Sequence, residues 1–441
     1  MPPPTPSISP AEQALRWFSK PYELLSACAA ELGDAFVIDL GTHGPYLMLS
    51  HPDEIRAVFT GDPADLHAGE GNGVLRPFLG DGSLLLLEEE RHLRERRMLL
   101  PAFRGERVAT HANLIREVAL GAVASWPEGS AISVQDGMQR VSLDVILQVV
   151  FGLGTTRETS PETDELVSLI RGFVNDSKFN LALLGKLGGK LRTSPTFTAF
   201  EGQLLRIRAL LADEIEARRA TPARGSDVLS ILLDARYDDG REVPVTDLRD
   251  ELLTLLVTGY ETTATALAWA FQWIDREPTV RERLDRVVRA RPGGHAFDDP
   301  YLDAFVREVL RIHPIIPIVA RKAQRDLRIG RFDVAKGQMV APCIYLAHHR
   351  PDLYTDPDQF MPERFLAKRY GPYEYLPFGG GARRCLGMTL ALAEMKIVLL
   401  AVLERVVLRA TSGPLPEPRR RSVTIAPSGG SPMQIHTLES T

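Results

Sequence analysis

Phe378-Gly379-Gly380-Gly381-Ala382-Arg383-Arg384-Cys385-Leu386-Gly387 is the stretch around which this chain is organised. A glycine-rich turn ends on one cysteine, and the apolar run from Leu386 to Val406 is expected to be helical. Glycines there let backbone approach a flat, bulky ligand and adopt conformations that a Cβ forbids. A helix starting near Gly387 aims its positive N-terminal end back at the sulfur, which favours thiolate over thiol. Arg383 and Arg384 add positive charge, and a guanidinium fork suits carboxylates. Cys385 therefore reads as a thiolate bound to iron. The plain alternative is a buried, inert thiol in a glycine-rich turn.

Composition bounds the rest. The 441 residues suggest about three domains by length alone. Hydrophobic content of 44% is enough for a large core. With 52 basic and 57 acidic residues the net charge is −5, which argues against a nucleic-acid binder. Cys28, Cys343 and Cys385 are odd in number and widely spaced, so they form neither a disulfide framework nor a zinc pattern, and a reducing compartment fits. Residues 1–10, rich in proline and serine, are expected to be a disordered tail. They lack the charged and apolar regions of a signal peptide. No run reaches the roughly 18 apolar residues of a membrane span, so a soluble, cytoplasmic protein is expected.

Three further blocks stand in order with the cysteine loop: Thr258-Gly259-Tyr260-Glu261-Thr262-Thr263, Glu308-Val309-Leu310-Arg311 and Pro362-Glu363-Arg364-Phe365. Together with Phe378, Gly381, Arg383, Cys385 and Gly387 they resemble the cytochrome P450 family, soluble bacterial type. Any one block alone would be weak. The resemblance implies a mainly α fold with small β-sheets, a single haem-thiolate domain over 11–441. Haem b would lie between a long central helix and the helix after the cysteine loop. It implies Cys385 as the metal ligand and Phe378, Arg383 and Gly387 as cofactor-binding positions. It also implies that Glu308, Arg311 and Arg364 form a buried structural network holding the loop. Read without it, Glu308 and Arg311, three apart on a helix, are an ordinary surface ion pair.

Along the chain, Ala11–Gly33 is expected as one helix, followed by strands at 36–38 and 46–49 and a helix over 52–60. Residues 60–82 read as loop, which in the family covers the substrate pocket. A helix is expected over 88–99, ended by Pro101, with His92 and Arg96 on one face. Without the cysteine loop a solvated charged face would suit so acidic and basic a stretch better; with it, the resemblance makes these two propionate ligands. Residues 106–235 read as mostly helical. Within them the glycine-bearing apolar stretch 173–191 resembles the family's substrate lid, or else a packed helix–loop–helix.

Residues 245–277 read as one long helix, N-capped by Thr246 and ended by Pro278. Gly259 at its middle costs about 1 kcal/mol against alanine, which points to close helix packing or to a local opening of the helix; the adjacent Glu261-Thr262 pair favours the opening. The apolar segment Ile315, Ile316, Ile318 and Val319 resembles the family's pocket lining over the haem. Arg321 after it matches a propionate-binding position, and Ala426 lies in a turn like the family's last pocket wall. Leu255, Thr258 and Gly259 complete the expected substrate pocket, with Thr258 standing where the family usually has alanine. Arg419-Arg420-Arg421 reads as a solvated charge run on a hairpin.

The chemistry implied is reductive activation of dioxygen and insertion of one oxygen into a C–H bond. Thr262 is expected to hydrogen-bond dioxygen and a water, and Glu261 to relay protons from solvent. Thr263 reads as back-bonding to a carbonyl. The chain continues about 50 residues past Cys385 and shows no dinucleotide fingerprint, so electrons are expected from a separate ferredoxin and its reductase. Arg104, Arg107, Lys368, Arg369 and Arg384 are the candidate docking cations on a monomer. A hydrophobic substrate is expected, a fatty acid ahead of a terpenoid or macrolide-like molecule. Two rivals remain: a peroxide-driven peroxygenase of the same fold, against which the intact Glu261-Thr262 pair argues, and a non-catalytic haem sensor.

Overall fold

The computed structural model describes residues 3–40, 44–152, 160–175, 195–221, 225–290, 297–411 and 413–438. Two compact units make up the fold: residues 1–67, 105–142 and 261–441, and residues 68–104 and 143–260.

The first unit carries the sheets. Ala35–Asp39 buries Phe36 and Ile38 and leaves Val37 and Asp39 half-covered, the period of two expected of a strand covered on one face. It pairs antiparallel with Pro45–Leu49, Phe36 opposite Met48. Pro45–Leu49 then runs parallel to Met339–Pro342, which continues antiparallel to Arg321–Ala323 and so to Leu66–His67. The sheet therefore fixes Arg321, opposite Val340, at a defined register. A second sheet joins Ala131–Ser133, Pro432–Thr437 and Val406–Ala410. Its first strand interrupts the run expected to be mostly helical, because its partners lie near the C-terminus, about 300 residues on.

One helix was expected over 11–33, but two form, Pro10–Ser19 and Pro21–Leu32. Pro21 has no N–H to donate and its ring excludes a continuous helix, so it takes the first position of the second one. Residues 3–9, expected as a disordered tail, are tied to the unit: Val37 N–H donates to the Pro4 carbonyl at 2.8 Å, and Pro6 is buried. The charge run at 419–421 is only partly solvated: all three arginines are half-buried. Arg419 donates to the Ser19 carbonyl, and the Arg420 guanidinium lies 5.2 Å over the Trp17 ring and 4.9 Å over Phe18. Burial lowers the Arg420 pKa to about 10. Arginine covers aromatic faces well, and no local feature of the sequence reveals which rings the hairpin will meet.

The second unit is helical, apart from its connecting segments. Pro161–Asn175 packs against Pro195–Ala220, with Leu166 and Ile170 on the first and Phe200, Leu204, Ile207 and Leu211 on the second buried. Residues 60–82, expected as loop, contain the short helices Ala68–Gly71 and Arg76–Leu79. Most of the lid-like stretch, 176–191, lies outside the described residues.

The long helix spans Val245–Arg276, 32 residues, about 48 Å at a rise of roughly 1.5 Å per residue. Thr246 is not its N-cap: the Pro244 carbonyl accepts from Leu248 N–H at 3.0 Å, so the first turn begins before Thr246. The helix is also unbroken at Gly259, where an opening was expected. A Cβ there would come within 2.7 Å of Ile146 Cδ1, so close packing against the helix Val134–Phe151 accounts for the glycine.

Candidate haem site

The cysteine loop is closed by its own backbone. Cys385 N–H donates to the Phe378 carbonyl at 2.9 Å and Gly379 N–H to Leu376 at 2.9 Å. Gly387 then caps the helix Met388–Leu403, whose Ala391 N–H bonds the Gly387 carbonyl. Cys385 thus sits two residues before a helix N-terminus, where unpaired N–H groups and the helix dipole favour a thiolate. It is exposed, while Cys28 and Cys343 are buried thiols whose pKa burial raises to about 11 and about 12. Burial thus separates the three cysteines by reactivity.

The loop glycines have different causes. Gly379 and Gly381 hold φ of +65° and +63°, the left-handed region that glycine alone enters cheaply. A Cβ at Gly380 would lie 2.5 Å from the Phe59 ring and one at Gly381 only 2.3 Å from the Phe59 carbonyl oxygen. At these two positions the backbone makes way for the end of the helix Pro52–Thr60. Gly379 and Gly387, by contrast, face open space. Phe59 also sits under the buried Arg321 guanidinium, 5.8 Å away, which places Arg321 beside the loop.

Behind the loop is a buried network. Arg311 meets Glu308 bidentately, Nε to Oε2 at 2.7 Å and Nη2 to Oε1 at 2.8 Å, with both residues fully buried. Arg364 adds a third bond to Glu308 Oε1 at 3.1 Å, and Met361 N–H a fourth. The remaining guanidinium donors go to carbonyls of His348, Pro357, Gln359, Thr355 and Asp356, which fixes the proline- and aspartate-rich meander. His348, missed by the sequence reading, carries this order to the loop: its Nε2 accepts from Leu376 N–H at 2.9 Å, leaving Nδ1 to donate to the Arg311 carbonyl. Burial and the neighbouring Arg311 charge keep its pKa well below the usual range, so the ring is neutral and can accept.

The long helix contributes Glu261 and Thr262. Glu261 is buried, and desolvation lifts its pKa to about 7, against the opposing pull of Arg421 and Thr424. Its Oε1 accepts from Thr424 Oγ1 at 3.2 Å. Around it Leu255, Thr258, Gly259 and Thr262 are only half-buried on a helix whose other residues here are mostly buried. Spaced i, i+3, i+4 and i+7, they form one partly open strip on the helix. The Thr258 hydroxyl donates to the Thr254 carbonyl at 2.7 Å.

Other predicted pocket residues meet through the C-terminal hairpin. Ile425 N–H donates to the Ile315 carbonyl at 2.9 Å, and its own carbonyl accepts from Trp269 Nε1 at 3.2 Å. The Ile315 segment, the Ala426 strand and the long helix are thereby drawn together. Ile315 and Ala426 are buried and Ile316 half-buried, but Ile318 and Val319 pack into two core clusters rather than standing apart from them. His92 is buried and Arg96 half-buried, one turn apart on the helix Glu89–Leu99, in the other unit.

The cytochrome P450 family profile matches residues 1–431. The chain belongs to the cytochrome P450 family. Putative cytochrome P450 135B1 of Mycobacterium tuberculosis is 35% identical over 442 residues, covering 98% of this chain and 91% of the relative. Putative cytochrome P450 138 of the same organism is 33% identical, covering 95% and 92%. Among solved structures, a retinoic acid-bound cyanobacterial P450, CYP120A1, is 25% identical with a TM-score of 0.84 over 99% of each chain. The heme domain of cytochrome P450DA, 23% identical, shares the fold at a TM-score of 0.84. This P450 is therefore a haem b monooxygenase of mainly helical fold with small sheets. Its residues suit that cofactor: an exposed thiol before a helix N-terminus, glycines open on one side, and a buried guanidinium beside the loop for a carboxylate. No helix among the described residues is long and apolar enough to cross a membrane.

Proposed function

We propose that this P450 hydroxylates a hydrophobic small molecule, a fatty acid ahead of a terpenoid, with Cys385 as the iron ligand and a ferredoxin as electron donor. When bound through a thiolate, haem supplies the reductive activation of dioxygen that inserts one atom into a C–H bond. The chain's own residues supply position and protons. Arg321, Arg96 and His92 hold propionates, while Phe378, Arg383 and Gly387 shape the loop around the thiolate. Glu261 donates a proton from its buried carboxyl, and Thr262, next in sequence, positions a water to receive it.

The observation that carries this reading is the half-open strip Leu255, Thr258, Gly259 and Thr262 beside a buried Glu261 whose pKa stands at about 7. A carboxyl poised there both gives and takes a proton at neutral pH. The apolar Leu255, Ile315 and Ile316 support a lipophilic substrate, and the retinoic acid in the cyanobacterial relative is itself a lipophilic acid. The exposed cations Arg107, Lys368, Arg369 and Arg384 support docking of an acidic ferredoxin; Gly105 of the Arg107 helix lies against Thr389, just past the cysteine loop. A soluble, cytoplasmic monomer completes the reading.

Titrating the holoenzyme with a panel of fatty acids, terpenoids and macrolides should give a haem spectral shift with the fatty acids first. No shift with any lipophile would sink the substrate assignment. With a substrate in hand, Thr262→Ala should lower coupling of electrons to product by about tenfold or more. Faster turnover with peroxide than with ferredoxin and reductase would favour a peroxygenase, and no product under either condition a sensor.

A further inference from the structure

The acid of the Glu261–Thr262 pair is held from an unexpected direction. Glu261 faces the turn of the hairpin formed by Pro418–Arg421 and Thr424–Pro427. Thr424 Oγ1 lies 3.2 Å from Glu261 Oε1 and 2.8 Å from the Arg421 carbonyl, so one hydroxyl spans the carboxyl and the hairpin backbone. Arg421 Nε stands 3.9 Å from the same Oε1. The guanidinium reaches outward as well: Nη2 donates to Gln139 Oε1 at 3.1 Å, and Nη1 lies 3.9 Å from Asp136 Oδ1. Exposure of the side chains rises along this line, from 10% at Glu261 to 33% at Arg421 and 60% at Asp136.

We propose that Arg421 is a positioning residue for the proton-relaying acid: it holds the Glu261 carboxyl against the C-terminal hairpin and, with Asp136, links that buried group to solvent. The proposal rests on the relay role given to Glu261 above. The groups that bear on the carboxyl are few and named. From the hairpin come Arg421 and Thr424; from the helix Val134–Phe151 come Gln139 and Asp136 through Arg421, while Gln135 donates instead to Thr265. A cation this close favours the ionised carboxyl, while burial favours the neutral one. Arg421 therefore offsets part of the desolvation and keeps Glu261 able to release its proton. A neutral residue at 421 would leave the acid protonated at higher pH, and a withdrawn Asp136 would strengthen the cation's pull.

The test is a carboxyl titration of the holoenzyme by difference infrared spectroscopy, with the Glu261 C=O band assigned by its loss in Glu261→Gln. Arg421→Gln should raise the midpoint by about one unit, and Arg421→Lys should return most of that shift. Asp136→Asn, at an exposed position that leaves the hairpin intact, should lower the midpoint, and the pH profile of coupling should move with each variant. A midpoint unchanged in both Arg421→Gln and Asp136→Asn overturns the proposal, as does an equal shift in Arg421→Gln and Arg421→Lys, since a merely structural hairpin would behave that way. If Glu261→Gln leaves coupling intact, the relay reading fails instead, and the infrared titration still decides what Arg421 does.

Discussion

Single side chains in this P450 take their chemistry from burial. Glu394 on the helix after the cysteine loop is fully covered and accepts from Ser142 Oγ at 2.5 Å; desolvation lifts its pKa to about 8. The unfolded chain returns that pKa to about 4.3. A carboxyl with a raised folded-state pKa adds stability below its unfolded value and loses it as pH climbs through the folded one. Glu394 therefore makes the protein less stable between about pH 4.5 and 8 as pH rises. Glu394→Gln should flatten that decline, gaining about 1.4 kcal/mol or more at pH 8, read from urea unfolding at several pH values. An unchanged slope would mean that Glu394 titrates normally. The same burial divides the cysteines: Cys28 and Cys343 are inert, and Cys385 is exposed before a helix N-terminus.

At the level of elements, the short helix Pro300–Ile312 is an anchor. Its Asp299 N-cap bonds Tyr301 and Leu302 N–H groups, and its buried face carries Glu308 and Arg311 into the meander. Arg311 satisfies five oxygens at once, so removing it takes the bidentate partner from Glu308, which keeps only Arg364 and Met361 N–H, and takes a donor from the His348 and Pro357 carbonyls. Arg311→Met should cost about 3–5 kcal/mol and reduce haem retention, measured by chemical denaturation and by the haem-to-protein absorbance ratio. A variant as stable as the parent with full haem would show that the network is replaceable. The path from this helix to the loop runs through His348 and Leu376, so the effect should reach the cysteine without touching it.

For the molecule as a whole, charge decides association more than fold. Within a chain of net charge −5, Arg107, Lys368, Arg369 and Arg384 are all exposed cations. Exposed cations steer an acidic partner and lose their effect in salt. Arg107→Glu with Lys368→Glu should slow reduction by ferredoxin about tenfold at low ionic strength, with the difference fading at high salt, as stopped-flow reduction would read it. Equal rates and an equal salt dependence would remove these residues from docking.

The sequence by itself determined the family, the cysteine ligand candidate and the span of the long helix, while the Glu308–Arg311–Arg364 network came only with the family resemblance. The cysteine and the helix depend on local signals: a loop that ends on a cysteine, and a long run that a proline stops. Tertiary structure decided what each local signal meets. Gly259 makes room for Ile146 instead of opening the helix, and Gly380 and Gly381 make room for Phe59. The arginine run at 419–421 covers Trp17 and Phe18 and reaches Glu261, a carboxyl about 160 residues earlier. Spacing cannot supply such partners, because a side chain's surroundings are set by whichever distant segments pack against it, and those also set its solvation and its pKa.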